Sequence, residues 1–291
     1  MRCSQMLALA LAFCGVGLSV VPDAAAQTVR AVREQAQASM VLTGQIDLDT
    51  EGKVEGFQLD KRDQVNSAIA RFVEGEVRSW RFEPVMTDGQ PLKARTPVSI
   101  RLGGSAGPDG SQLVTLLAAS FETYNQAATD VVTLLKTVPP VYPRDVFAAG
   151  GRGDVVLLLQ VGRDGKVAGV ATEQVNLRVV ANESSMRSVR DKLSRVSEAA
   201  ARKWTFNVPT TGEYKDEATW TVRVPVHFAL YGDREGYGRW DVYVPGPRKQ
   251  APWRADRALA ADANADLLPT GGVFMADAPA NGPTLLTPLG G

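Results

Sequence analysis

Few side chains in this sequence are equipped for chemistry. His227 is the only histidine in 291 residues, and the two cysteines, Cys3 and Cys14, both lie near the N-terminus. His227 sits between Val226 and Phe228 in an alternating stretch, with no second imidazole or thiolate to complete a metal site. Asp47 and Asp49 are close in sequence, but no apolar pocket is implied around them, so they read as solvated surface. The glycine clusters Gly103-Gly104-Ser105 and Gly150-Gly151-Arg152-Gly153 are weak phosphate motifs, and the second precedes a strand pattern rather than a helix. Lys plus Arg and Asp plus Glu each number 32, for a formal net charge of zero, so there is no basic footprint for nucleic acid. The expectation is a protein without catalytic residues, metal or cofactor.

The elements that would hold a binding surface follow from the patterning. Met1 to Ala26 reads as a secretory signal: Arg2, an apolar run from Met6 to Val21, then Ala24-Ala25-Ala26 before Gln27. The run is shorter than the roughly 20 apolar residues of a spanning helix. Phe13 stands where a lipoprotein signal places a small residue before Cys14. Cleavage near Ala26 removes both cysteines, leaving domains held by their cores alone in the periplasm of a Gram-negative bacterium. An uncleaved segment anchored in the inner membrane is the alternative.

Two stretches repeat one pattern. Val41 to Leu48, a turn Asp49-Thr50-Glu51-Gly52 and Lys53 to Phe57 are echoed by Val155 to Val161, a turn Gly162-Arg163-Asp164-Gly165 and Lys166 to Val170. In each, a glycine after an acidic residue supplies the positive φ of a hairpin turn, and the second strand breaks alternation as a β-bulge does. Helical spacing follows both hairpins: Val65, Ile69, Phe72, Val73 and Val77 in the first, Met186, Val189, Leu193, Val196 and Ala200 in the second. Each helix runs into Trp-x-Phe, Trp80 with Phe82 and Trp204 with Phe206. Strands at Ala94 to Leu102 and Ala218 to Leu230 close the units. The fold class expected is α+β: two β-β-α-β units, 39–103 and 139–231, each a three-stranded sheet with a helix on one face.

Between them, 104–138 reads as a flexible break followed by a long amphipathic helix over Ser111 to Lys136, with Leu113, Leu116, Leu117, Phe121, Tyr124, Ala128, Val131, Val132 and Leu135 at helical spacing, stopped by Pro139-Pro140. In 232–291, Tyr237, Trp240, Tyr243 and Trp253 lie among Gly and Pro. These aromatics are expected to clamp onto the second unit or to bind a glycan or peptide. The end from Arg254 reads as partly disordered.

The order Pro140-Val141-Tyr142-Pro143, hairpin with Asp164-Gly165, Trp204-Thr205-Phe206 and a terminal strand resembles the C-terminal domain of the TonB family. The first unit resembles it more distantly, lacking the Tyr-Pro entrance. The resemblance implies a periplasmic domain that adds an extended segment of an outer-membrane receptor to its sheet edge. The edge would be the last strand, with Trp220, Val222, Arg223, Val224, Val226 and Phe228 as partner-binding residues, and Tyr142 and Pro143 beside it. Two alternatives remain open for these residues: Pro225 and Arg223 protect the edge from any partner, and Tyr142 with Pro143 is a packing anchor. Gly52, Trp80, Phe82, Gly165, Trp204 and Phe206 are the structural motif. The partners expected are proteins, self-association included, and no nucleic acid. A self-pairing envelope scaffold is the rival function. Energy transduction would need the uncleaved anchor, and the family's functional histidine has no counterpart before His227.

Overall fold

The computed structural model describes residues 37–106, 111–230, 237–254, 267–269, 271–277 and 282–289. The expected signal segment lies outside the described residues, and no helix among them is long and apolar enough to cross a membrane. The architecture is α+β, with two separate clusters of buried apolar side chains, one in each half of the chain.

In the first half, β1 (Gln37–Leu48) turns into β2 (Val54–Leu59), with a register shift at Asp47/Leu48. Helix α1 (Ser67–Ser79) follows, capped by Asn66, whose side chain accepts from the Ala68 N–H at 2.9 Å. It buries Ala70, Val73 and Val77. A two-residue ladder, β3 (Met86–Thr87) with β4 (Gln90–Pro91), leads to β5 (Ala94–Ala106), which pairs along β1 from Ala38 to Leu48.

The second half also carries a hairpin, a helix and a returning strand, with a short helix ahead of them. Helix α2 (Arg144–Ala148) precedes β8 (Gly153–Gly162), which pairs with β9 (Val167–Leu177), and α3 (Glu183–Ala201) packs on both strands. Asn182 caps α3 by accepting from the Ser185 N–H at 2.8 Å. After β10 (Thr205–Asn207), β11 (Thr219–Phe228) returns along β8 through ten paired positions.

One contact recurs in both halves. The Phe82 N–H donates to the Gly52 carbonyl at 2.8 Å, and the Phe206 N–H donates to the Gly165 carbonyl at 2.8 Å. The Trp-x-Phe turn is thereby latched to the hairpin turn. Gly52 and Gly165 have φ of +76° and +72°, and a Cβ on either would lie 2.1 Å from the Phe82 oxygen or 2.3 Å from the Phe206 oxygen. Both the left-handed backbone and the close approach therefore require glycine. The tryptophans are core residues: the Trp204 Nε1–H donates to the Val138 carbonyl at 2.8 Å, and Trp80 and Phe82 pack edge-on against Phe121.

Three expectations are corrected. Neither main sheet has three strands. The first orders β12-β1-β5-β6, with β2 also on β1, and the second orders β13-β11-β8-β9. The added strands come from segments read as linker and tail: β6 (Gln112–Ser120), β12 (Asp241–Tyr243) and β13 (Phe274–Met275).

The amphipathic helix over Ser111 to Lys136 is absent. Its place is taken by β6, a loop and β7 (Thr133–Lys136), which pairs with β10. The three-and-four spacing of Leu113, Leu116 and Leu117 does not mark one face: Leu117 is the extra residue of a bulge, where Arg101 opposes Ala118 but Leu102 opposes Leu116. Leu116 is buried, while Leu113 and Leu117 face out. β-branched Val114, Thr115, Val131, Val132 and Thr133 favour this outcome. Gly103 and Gly104 belong to β5 rather than to a flexible break, because their bare faces admit Leu117 and Trp240.

The tail, third, is not confined to the second half: its described residues bind both halves. Tyr237 bonds Thr43, with its OH donating to the carbonyl at 2.9 Å and accepting from the N–H at 3.0 Å. Asp241 on β12 pairs with Arg152 at 3.3 Å and Arg178 at 3.7 Å across to the second half. Three of the four aromatics expected to clamp on the second unit therefore pack on the first sheet: Tyr237 at Thr43, Trp240 on Gly104 and Tyr243 in the ladder with Gln37. Residues 107–110 and the remainder of the tail lie outside the described residues.

The latch predicts a contrast among glycine variants. Gly52→Ala and Gly165→Ala should each lower unfolding free energy by about 2 kcal/mol or more in urea titrations. Gly75→Ala, in an open position on α1 with nothing near its missing Cβ, should raise it by about 0.5–1 kcal/mol.

Candidate functional site

The backbone groups of β11 lie in the sheet plane and point by turns toward β8 and away from it. The Thr221 carbonyl accepts from the Ala276 N–H at 2.8 Å, on the side away from β8. With no register shift along β8/β11, the odd-numbered residues Thr219, Thr221, Arg223, Pro225 and His227 present their backbone groups outward, and the even-numbered ones bond β8. Pro225 thus falls where its missing N–H costs the β8 ladder nothing.

The side chains divide by the same parity. Trp220, Val222, Val224 and Phe228 are buried in the second core, and Val226 packs against it. These five were expected to touch a partner, and their side chains face α3 and the core instead. An approaching segment would meet their strand as backbone. The Trp220 Nε1–H donates to the Tyr214 carbonyl at 2.8 Å. On the opposite face, Arg223 makes a buried two-point ion pair with Glu173, at 2.8 and 3.2 Å. His227 Nδ1 lies 2.5 Å from Asp154, which also receives Arg178 at 3.1 Å. Arg223 and His227 are therefore bound across the sheet rather than extended toward solvent.

Tyr142 is an anchor. Its ring stands edge-on to Phe228 and Phe147, with centroids 5.2 and 5.4 Å away, and its OH donates to the Gly151 carbonyl at 2.5 Å. Pro143 begins α2, its carbonyl accepting from the Phe147 N–H at 2.9 Å. The pair holds the entrance of the second half against the end of β11.

The tail forms a strap around the second sheet, which sequence reasoning missed. It pairs first with the outer side of β9: Val244 and Leu177 exchange N–H···O bonds of 2.8 and 3.0 Å, and the Lys249 N–H donates to the Glu173 carbonyl at 2.7 Å. It then crosses the face, where Trp253 packs on Gly169. β13 then lies on the outer side of β11, Met275 opposite Val222 and Phe274 opposite Arg223, and the described residues beyond it return to the first half, where Leu285 opposes Phe82. Phe274 is buried beside Tyr124, with ring centroids 6.1 Å apart. Arg254 fixes the strand end, donating to the Ala276 carbonyl at 3.1 Å and pairing with Asp277 at 2.9 Å. Buried Leu267, Leu268, Val273 and Phe274 were a legible signal within a stretch dominated by Ala, Asp and Gly.

The acidic residues near the first hairpin have structural partners. Asp47 is bonded by Arg95 at 2.5 and 3.0 Å, and this hydrogen bond holds its carboxyl below the usual range. Asp49 accepts from the Lys53 and Glu51 N–H groups within the turn, which lowers it likewise. Among the described residues no cluster of three or more His, Cys, Asp or Glu could hold a metal ion.

Over 92 residues the chain is 42% identical to proteins named TonB from two strains of Xanthomonas campestris pv. campestris, B100 and ATCC 33913. The likeness is to TonB. It covers 32% of this chain and 35% of those relatives, so the chain spans about a third of their length. No family model matches, and no solved structure matches.

The Asp154 cluster beside β11 gives a pH signature. Burial alone would push the Asp154 carboxyl up; the hydrogen bond from His227 and the charges of Arg178 and His227 outweigh it and hold the carboxyl below its ordinary value. A depressed folded value contributes stability that is complete above the unfolded value of about 3.9 and disappears as pH falls through the folded one. Asp154→Asn should therefore cost about 3 kcal/mol at neutral pH. The gap to the parent chain should narrow as urea titrations are taken below about pH 4.

Proposed function

We propose that this chain is a non-enzymatic, TonB-like envelope protein that binds extended peptide segments of outer-membrane receptors or other envelope partners by strand addition to the outer side of β11. The observation that carries the reading is β13: the outer side of β11 already takes an extended segment in antiparallel register at Val222 and Arg223. A strand edge of this kind recognises a partner through main-chain N–H and C=O groups, so it needs no catalytic side chain, metal or cofactor.

The likeness to TonB supports a link to TonB-dependent transport and a periplasmic location after cleavage near Ala26. The shared Gly–Phe latch supports reading 39–103 and 139–231 as divergent tandem copies of one β-β-α-β unit. In that reading the second copy is the binding one, because β11 meets only the two residues of β13 where β5 is paired by the nine-residue β6.

Synthetic extended segments of outer-membrane receptors, titrated calorimetrically against the full chain, should bind saturably. Thr221→Pro removes one outward N–H and leaves the β8 ladder intact, so affinity should fall about tenfold with the melting temperature little changed. Absence of saturable binding by any segment, or equal affinity in the variant, would contradict the proposal.

A further inference from the structure

β13 is separated from β11 by 45 residues of chain, yet it occupies the same outward groups that strand addition would use. Its hold is short: two paired positions plus the Ala276-to-Thr221 bond, against ten positions between β11 and β8. What fixes it is side-chain burial at Phe274 and the Arg254 clamp on Ala276 and Asp277. On its N-terminal side, Gly271 has φ of +82° and Gly272 follows. A Cβ on Gly272 would sit 2.5 Å from the Phe274 ring, so the chain there folds back closely on its own anchor.

We infer that residues 271–277 are a built-in competing strand, which occupies the β11 edge until a partner segment displaces it. The inference rests on the strand-addition reading above and adds its regulation. The occupant is of stated chemistry: an extended segment with one aromatic at the position of Phe274, lying opposite Arg223. Because β13 and a partner use the same N–H and C=O groups of Thr221 and Arg223, both cannot be seated together. Apparent affinity for a partner is then the intrinsic affinity reduced by the fraction of molecules with the edge open. A strand that also shields the edge from unrelated chains limits edge-to-edge aggregation.

The test uses the full chain and two opposed variants. In Phe274→Ala/Met275→Ala the anchor is removed, and receptor segments should bind about tenfold more tightly than to the parent. In the converse variant Cys3 and Cys14 are replaced by serine, and Val222→Cys and Met275→Cys join directly opposed residues of a non-hydrogen-bonded pair, where strand spacing suits a disulfide. The oxidised form should lose binding, and reduction of the same sample should restore it. That internal comparison separates occlusion from misfolding. A synthetic peptide of residues 271–277 should bind the anchor-deleted variant and compete with receptor segments for it. Equal affinity in the parent and anchor-deleted forms, with binding lost on oxidation, overturns the competing strand while leaving strand addition standing; equal affinity in the oxidised form as well overturns both. Binding of the 271–277 peptide without binding of any receptor segment overturns the partner reading instead. If neither peptide binds the anchor-deleted variant, the competing strand is refuted outright.

Discussion

Every other feature of the second half is arranged around the unequal satisfaction of the β11 backbone. On one side its even-numbered residues complete ten positions with β8. On the other, the odd-numbered residues present groups that a terminal strand must satisfy with water, with its own chain or with a partner. Pro225 fits because it stands at an outward position, and Arg223 fits because its charge is carried across the sheet to Glu173 rather than into the edge. Trp220, Val222, Val224 and Phe228 fix the strand in place by burial, so the edge is held rigidly with its odd-numbered backbone groups turned outward.

The hairpins, helices and Trp-x-Phe turns were legible because they depend on local chemistry. Acidic-Gly turns require a positive φ, and Gly52 and Gly165 supply it. The stripes from Val65 to Val77 and from Met186 to Ala200 have helical period and asparagine caps. The terminal strand was legible for the same reason, since alternation from Trp220 to Phe228 marks which side chains are buried. That alternation also bears on the site, because it assigns the side chains to the core and leaves only the backbone for a partner.

What escaped the sequence was non-local. Leu113, Leu116 and Leu117 mimic a helical spacing although Leu116 points inward and the other two outward, a division set by pairing with distant β5. The strap escaped because its contacts are single residues spread along low-complexity chain: Val244 on Leu177, Trp253 on Gly169 and Phe274 on Arg223. No periodicity signals a segment that pairs two residues at a time. The aromatics at Tyr237, Trp240 and Tyr243 marked packing, but the sheet they pack on is set by the return of β12 to β1.

The claim that β11 receives extended segments on its outer side is tested most directly by amide hydrogen exchange, resolved residue by residue, with and without a saturating receptor segment. The account predicts added protection at the outward amides of Thr219 and His227, beyond the reach of β13, and slower exchange at Thr221 and Arg223 as a longer segment replaces the two-residue β13, with the even-numbered amides between them unchanged because β8 already protects them. Protection confined to another strand, or falling equally on even and odd positions of β11, would contradict it.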